Sequence, residues 1–401
     1  MAMLPEGWDA VTIDKISKIV TSGSRDWSQY YANQGDKFVR MTNLGREGIR
    51  VSNDDMKYVS LPVTSSEGRR TSLESGDVLI SITAELGKIG LVPPGFGTAF
   101  INQHLALVRM EPHKAVSEFV AHLLSSEGMN KKLNGLNDAG AKAGLNLSTI
   151  RSFVIPLPPL PEQKKIAAIL STWDRAIEVM EKLLANSQRQ KKALMQQLLT
   201  GKKRLPGFTG EWHKRRLSDC CYVQMGSSPK SEFYNDAGVG LPLLQGNADI
   251  KDRRSAPRIY TTDVTKTCKV GDILLSVRAP VGNVAISAHH ACIGRGIACI
   301  QTNDENLSSF IYQSFLNLED SWSTVSQGST FEAVSGDDLR KTILYLPTLP
   351  EQKAIASVLT KADEEITLLK SDLSRLRQEK KALMQQLLTG KRRVKIEADA
   401  G

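Results

Sequence analysis

The sequence predicts an α+β protein with two mixed α/β domains, two long helices that pair with each other as a coiled coil, and a pseudo-twofold internal repeat. Three observations predict it. Lys191–Lys202 recurs letter for letter as Lys380–Lys391, and Leu160-Pro161-Glu162-Gln163-Lys164 recurs as Leu349-Pro350-Glu351-Gln352-Lys353, both at an offset of 189. A shared offset means that no insertion or deletion separates the copies, as a segment of fixed physical length requires. Each copy carries a heptad stripe. Ahead of each copy, Gly76-Asp77-Val78-Leu79-Ile80-Ser81-Ile82 and Gly271-Asp272-Ile273-Leu274-Leu275-Ser276-Val277 match at an offset of 195.

The first domain spans 1–155. Its Gly-Asp segment is a short apolar run bounded by turn residues, which reads as a buried strand, and Gly87-Lys88-Ile89-Gly90 marks the turn and strand that follow. Leu105–Met110 continues the sheet, and the amphipathic stretch Val116–Leu133 reads as a helix. The first spacer segment, 156–204, opens on Pro156-Leu157-Pro158-Pro159-Leu160-Pro161, with Pro161 suited to the first turn and Glu162 favouring the helix dipole there. From Ile166 its stripe steps by fours and threes through Leu170, Trp173, Ile177, Met180, Leu184, Ser187, Lys191, Leu194 and Leu198, so eight of ten positions are apolar. Thr200-Gly201 and Lys202-Lys203-Arg204 supply a glycine stop and a cationic end.

The second domain, 205–345, repeats the strand pattern through Gly282-Asn283-Val284-Ala285 and Ile297–Ile300, with a helix near Leu307–Leu318. The second spacer segment, 346–393, has the stripe Ile355, Leu359, Ala362, Ile366, Leu369, Leu373, Leu376, Lys380, Leu383 and Leu387, nine of ten apolar. Sustained 3.5-residue spacing with charged flanks is a coiled-coil seam, and a lysine at the same seam position in both copies is the kind of residue that fixes register. Each helix, about 39 residues at 1.5 Å per residue, would be a rod of roughly 58 Å. A short tail, 394–401, follows. Stretches 23–70 and 226–266 share almost nothing, so near-identical rods carry divergent globules.

Composition narrows the function. At 401 residues, with 41% apolar, 24% charged and 6% aromatic residues, the chain is neither disordered, collagenous nor a disulfide-stapled miniature. No run approaches the roughly 18 apolar residues of a membrane span, and the start lacks a basic and apolar leader, so a cytoplasmic location is expected. Five cysteines without a CxxC pair (Cys220, Cys221, Cys268, Cys292, Cys299) fit free thiols, with Cys220-Cys221 as a buried strand pair. Net charge is +9, which raises nucleic acid as a partner. The excess lies on the rods: residues 162–204 carry ten Lys+Arg against four Asp+Glu, and residues 351–393 ten against six.

The duplicated Leu-Pro-Glu-Gln-Lys approach, the duplicated Leu-Met-Gln-Gln-Leu-Leu-Thr-Gly ends and the paired Gly-Asp strands make the chain resemble the specificity subunit of a type I restriction–modification system over nearly its whole length. That resemblance implies two target-recognition domains (1–155 and 205–345), each reading half of a split DNA site, separated by the two long conserved helices, which pair antiparallel as a coiled-coil spacer. It also implies docking of two methyltransferase subunits, which carry S-adenosylmethionine, and of restriction motor-nuclease subunits with ATP and Mg where those exist. No cofactor is expected on this chain. Thr348 departs from the second proline of the first copy, and Gly294-Arg295-Gly296 stands where the first half has Asn102-Gln103-His104.

Candidate DNA contacts follow from side-chain chemistry: Arg suits the guanine edge, Asn or Gln the adenine edge, and Lys or Ser more often phosphate. In the first domain these are Arg25, Trp27, Tyr30, Tyr31, Arg40, Asn43 and Arg46, with Arg69, Arg70 and Lys88 as phosphate clamps. Gln103 and His104 lie in the loop that the resemblance brings to DNA. In the second domain they are Ser228, Lys230, Tyr234, Asn235, Gln245, Asn247, Arg253, Arg254, Arg278 and Arg295. For each, a solvated surface role competes with base contact.

No histidine arrangement has zinc spacing: His104, His113 and His122 recur every nine residues, and His289-His290 are adjacent. The phosphate-loop pattern GxxxxGK[ST] is absent, as are a methyltransferase target-base motif and a paired-carboxylate nuclease motif. A non-catalytic role is therefore expected, with chemistry performed by partners. Two alternatives stay open: a stand-alone DNA methyltransferase with its own recognition domains, and a coiled-coil protein scaffold.

Overall fold

A computed structural model describes residues 4–25, 27–62, 66–136, 144–303, 306–326 and 333–396. The chain forms two compact units, Met1–Glu181 with Ser371–Gly401, and Lys182–Lys370. Each unit therefore takes in the amino-terminal part of one long helix and the carboxy-terminal part of the other.

In the first unit a four-stranded antiparallel sheet has the order Ser17–Ser22, Leu105–Met110, Val78–Ser81, Ile89–Leu91. The Gly-Asp strand is buried at all four positions because both of its faces are covered. Val78 and Ile80 join the core shared with the helices, whereas Leu79 points into a second core with Leu105 and Leu107, the two-residue alternation of a strand. That second core lies toward another four-stranded sheet, ordered Tyr31–Ala32, Lys57–Val59, Asp36–Val39, Ala99–Ile101, in which the last two strands are parallel. Helices Ser117–Ser125 and Glu127–Gly135 cover the first sheet's outer face. The single helix expected over Val116–Leu133 is thus two. Ser125 and Ser126 donate their hydroxyls back to the carbonyls of His122 and Leu123, ending the first helix there.

The second unit repeats the plan. Cys221–Met225, Ile297–Thr302, Ile273–Ser276 and Val284–Ile286 are ordered like their counterparts and are extended by a hairpin of Ile250–Lys251 and Arg254–Ser255. Ile273 and Leu275 face the helical core while Leu274 faces the second one. Here the covering helix, Ser308–Ser326, is unbroken. The second sheet again sets a parallel pair, Leu241–Leu244 beside Ala291–Ile293. All five cysteines are free and buried. The expected Cys220–Cys221 strand pair is corrected: Cys220 closes a helical turn, Leu217–Cys220, and Cys221 opens the strand.

The long helices run Leu160–Leu198 and Leu349–Leu387. All twenty predicted seam positions are buried or half-buried, among them Leu170, Trp173, Ile177, Leu184, Leu194, Leu198, Leu359, Ile366, Leu373, Leu383 and Leu387. Within the first unit, Asp174 meets Lys380 and Glu181 meets Arg377. Within the second, Ser187 meets Glu365 and Lys191 meets Asp363. Rising numbers on one helix against falling numbers on the other show that the segments pair antiparallel in each unit. The seam lysines are 9% and 5% exposed, so their ammonium groups need the carboxylates they find.

The Leu-Pro-Glu-Gln-Lys motif proves to be a joint. Gln163 accepts from Val116 N at 2.8 Å and donates to Pro158 O at 2.8 Å; Gln352 accepts from Leu307 N at 3.0 Å and donates to Pro347 O at 3.0 Å. Each glutamine thereby ties a long helix to the start of its domain's covering helix. Glu162 and Glu351, both 1% exposed, receive forked bonds from Arg393 and Arg204, at 2.7 and 2.8 Å and at 2.6 and 2.7 Å. The carboxylates expected only to favour a helix dipole are buried ion-pair partners.

Candidate nucleic-acid interface

The two domains build the same platform at one end of the first sheet. In the first domain, strands Ser17–Ser22 and Val78–Ser81 both run antiparallel to Leu105–Met110, so their carboxy-terminal ends meet its start. Gly23 N donates to Leu105 O at 3.2 Å, Ile82 N to His104 O at 3.0 Å and Leu105 N to Asn102 O at 3.1 Å. Ser24 pairs with Asn102, and Thr83 pairs with Gly144. In the second domain Gly226 N donates to Ile297 O at 2.9 Å, Val277 N to Gly296 O at 2.9 Å and Ile297 N to Gly294 O at 3.0 Å, while Arg278 pairs with Ala333. Loop 294–296 is thus the structural counterpart of loop 102–104. Glycine is required at the meeting point: a Cβ on Gly23 would sit 2.2 Å from Asn102 backbone, and one on Gly226 2.2 Å from Gly294 O.

The first platform carries Arg25, Gln103 and His104. Arg25 is exposed, and no hydrogen bond or ion pair among the described residues engages its side chain. His104 Nδ1 lies 2.6 Å from Thr83 Oγ1, and its Nε2 lies 3.0 Å from Gln103 Nε2. With the Gln103 amide donating to Nε2, Nδ1 is the ring nitrogen that donates to Thr83, a tautomer set by the bonding pattern. Thr83 escaped the sequence reading; the offset of 195 that equates it with Arg278 was the available signal.

The second platform gathers Ser228, Gln245, Asn247, Arg278 and Arg295. Ser228 Oγ accepts from Arg295 N at 3.1 Å and Arg295 Nε at 3.3 Å, and Gln245 O accepts from Gly296 N at 3.1 Å. Asn247 Oδ1 accepts from Asn283 at 2.6 Å. Arg278 is exposed, as is Arg254 on the neighbouring hairpin, and neither side chain makes a hydrogen bond or ion pair among the described residues.

Other expected contacts are framework. Trp27, 4% exposed, packs within an aromatic cluster with its ring tilted against Phe38 at 4.7 Å and Phe100 at 5.6 Å. Asn43, 1% exposed, accepts from Arg40 N and donates to the carbonyls of Ser52 and Asp54, closing the loop it lies in. Both are corrected from base contacts to framework residues: Trp27 is buried in the aromatic cluster and Asn43 is buried and hydrogen-bonded within its loop, so neither reaches a groove without unfolding its surroundings. Four arginines are committed inside the protein: Arg40 to Asp55, Arg46 to Leu86 O, Arg70 to Ser22 O and Ser24, and Arg253 to Glu319. Lys88 pairs with Glu85, and the Arg40 and Lys88 partnerships hold the Asp55 and Glu85 carboxyls below their ordinary range. Tyr30 packs edge-on to Trp27, while Tyr31, half exposed, sits edge-on to Phe38. Tyr234 donates to Pro229 O, Asn235 closes its own loop through Val239, and Lys230 is exposed beside Glu232. The side chain of Arg69 lies outside the described residues.

Known proteins share this fold. The family described as type I restriction modification DNA specificity domain matches residues 5–186 and 209–378. A specificity subunit assigned to the type I restriction enzyme MjaX of Methanocaldococcus jannaschii is 30% identical over 408 residues, covering 98% of this chain and 95% of its own. A chain solved in work on complex assembly and conformational transition of the type I R-M system is 26% identical with a TM-score of 0.61, over 97% of this chain and 99% of that one. The type I restriction–modification S subunit of M. genitalium, 15% identical, shares the fold with a TM-score of 0.65, over 95% of this chain and 96% of its own. The class is that of tandem DNA-specificity domains. This chain belongs to the family of type I restriction–modification specificity subunits.

Proposed function

We propose that this chain is the non-catalytic reading subunit of a type I restriction–modification complex. Its two domains read the halves of an asymmetric, interrupted DNA target, and the paired helices serve as the spacer between them. Two methyltransferase subunits bring S-adenosylmethionine and the adenine chemistry, and restriction subunits with ATP and Mg join where present. The observation that carries the reading is the platform built twice on one backbone plan with different side chains, as reading two different sequences requires. Two domains of the specificity-domain family, and a likeness to a specificity subunit over nearly the whole chain, favour this reading over a stand-alone methyltransferase or a protein scaffold. No helix among the described residues is long and apolar enough to cross a membrane.

Mapping methylated adenines in host DNA with and without the chain tests this. A bipartite motif that disappears with the chain is the expected result. Methyl transfer by the chain alone, or no DNA binding in any assembly with its partners, would overturn it.

A further inference from the structure

Gln103 and Arg295 occupy the middle of equivalent loops, defined by the three shared backbone hydrogen bonds described above. Each is held by a neighbour in a way that leaves a fork free. The Gln103 amide nitrogen spends one hydrogen on His104 Nε2, itself fixed by Thr83, leaving its second N–H and its carbonyl oxygen. Arg295 is anchored through Nε by Ser228 Oγ, leaving the two terminal guanidinium nitrogens without a partner among the described residues. Arg295 is exposed and flanked by Gly294 and Gly296, so it is the only side chain of its loop; a Cβ on Gly296 would lie 2.3 Å from Gln245 O.

Resting on the DNA-reading function proposed above, we infer that Gln103 and Arg295 are the equivalent base-reading residues of the two domains, Gln103 for an adenine and Arg295 for a guanine in the major groove. An amide presents one donor and one acceptor side by side, which matches adenine N7 and N6–H. A guanidinium presents two donors, which match guanine N7 and O6. Phosphate contact explains neither position: neutral Gln103 gains little from the phosphate field, and a phosphate grip does not need the side chain held in advance. Anchoring reduces the rotamer entropy lost on binding, which matters where a bidentate fit must be met.

The test uses the full chain assembled with its methyltransferase partner on a DNA library randomised across both half-sites, with the methylated sequences read out. Arg295→Gln is expected to abolish guanine preference, by at least about tenfold, at one position of one half-site and to leave the other half-site unchanged. Gln103→Arg is expected to alter one position of the opposite half-site, from adenine toward guanine. Arg295→Lys, which keeps the charge and loses the fork, should weaken the same guanine preference at the same position. An unchanged motif methylated at a uniformly lower rate would make these residues phosphate contacts and overturn the inference. Absence of any bipartite motif with the unaltered chain would instead overturn the function on which it rests.

Discussion

His122 shows how one residue's setting decides its chemistry. It is fully buried under the first long helix, 3.7 Å from Asp174, and its counterpart in the second unit is Gln313, which donates to Asp363 at 2.7 Å. Burial first, and the Lys380 charge second, hold the imidazole down at about 3 from its ordinary 6.5. The folded chain therefore refuses a proton that the unfolded chain accepts below pH 6.5. This contribution to stability is intact above pH 6.5 and is lost progressively as pH falls toward 3, reaching up to about 2 kcal/mol at pH 5. Asp174, raised by burial against the lowering pull of Lys380, acts in the opposite sense and offsets part of the loss. His122→Gln, copying the second unit, should lose less stability between pH 7.5 and pH 5 in urea titrations. Equal losses in variant and parent would show that the imidazole is not the source.

At the scale of the element, the long helices are specified by their seam and joined by their ends. Lys191 is buried beside Asp363, which also accepts from Gln313 and is partly exposed. Lys191→Met should cost about 2 kcal/mol in urea unfolding, less than a fully buried pair would, because Asp363 keeps a donor and some water. Adding Asp363→Asn, which removes the unpaired charge and keeps an acceptor for Gln313, should recover part of that cost; full additivity of the two changes would mean the pair is not coupled. The helix stops, identical in sequence, separate in structure. Gly201 and Gly390 both have φ of +69°, but a Cβ on Gly390 would lie 2.2 Å from Pro5 Cγ, whereas one on Gly201 would meet only the Trp212 ring at 3.5 Å. Both alanine variants pay about 1 kcal/mol for the left-handed backbone. Gly390→Ala should therefore melt well below Gly201→Ala, and equal melting temperatures would contradict the close approach.

For the whole molecule, the proposed spacer role makes helix length a determinant of the target. Groove faces recur about every 34 Å along B-DNA, so two recognisers need a set separation. Four residues added within the first long helix should lengthen the unspecified gap of the methylated motif, and an unchanged motif after that insertion would exclude the ruler. Charge takes a more local meaning too. Of the basic helix ends, Arg204 and Arg393 are bound to Glu351 and Glu162, so part of the +9 net charge holds the protein together. Under the proposed function, the exposed Arg25, Arg254, Arg278 and Arg295 are the side chains offered to DNA.

Periodicity and repetition are local properties of a chain, and they determined what is local here: the two long helices, their seam, the doubled Gly-Asp strands and the equivalence of loops 102–104 and 294–296. Arginine and asparagine types around residues 25–46 were equally legible, but not their roles. Whether Asn43 faces a groove or closes a loop depends on Ser52 and Asp54, and whether Arg253 is free depends on Glu319, 66 residues away. Likewise the seam lysines announced a register, while their partners, Asp363 and Asp174, lie 172 and 206 residues distant. Only the tertiary structure brings such groups together, because a polar side chain's role is set by the partner that satisfies it, and that partner is chosen by the fold.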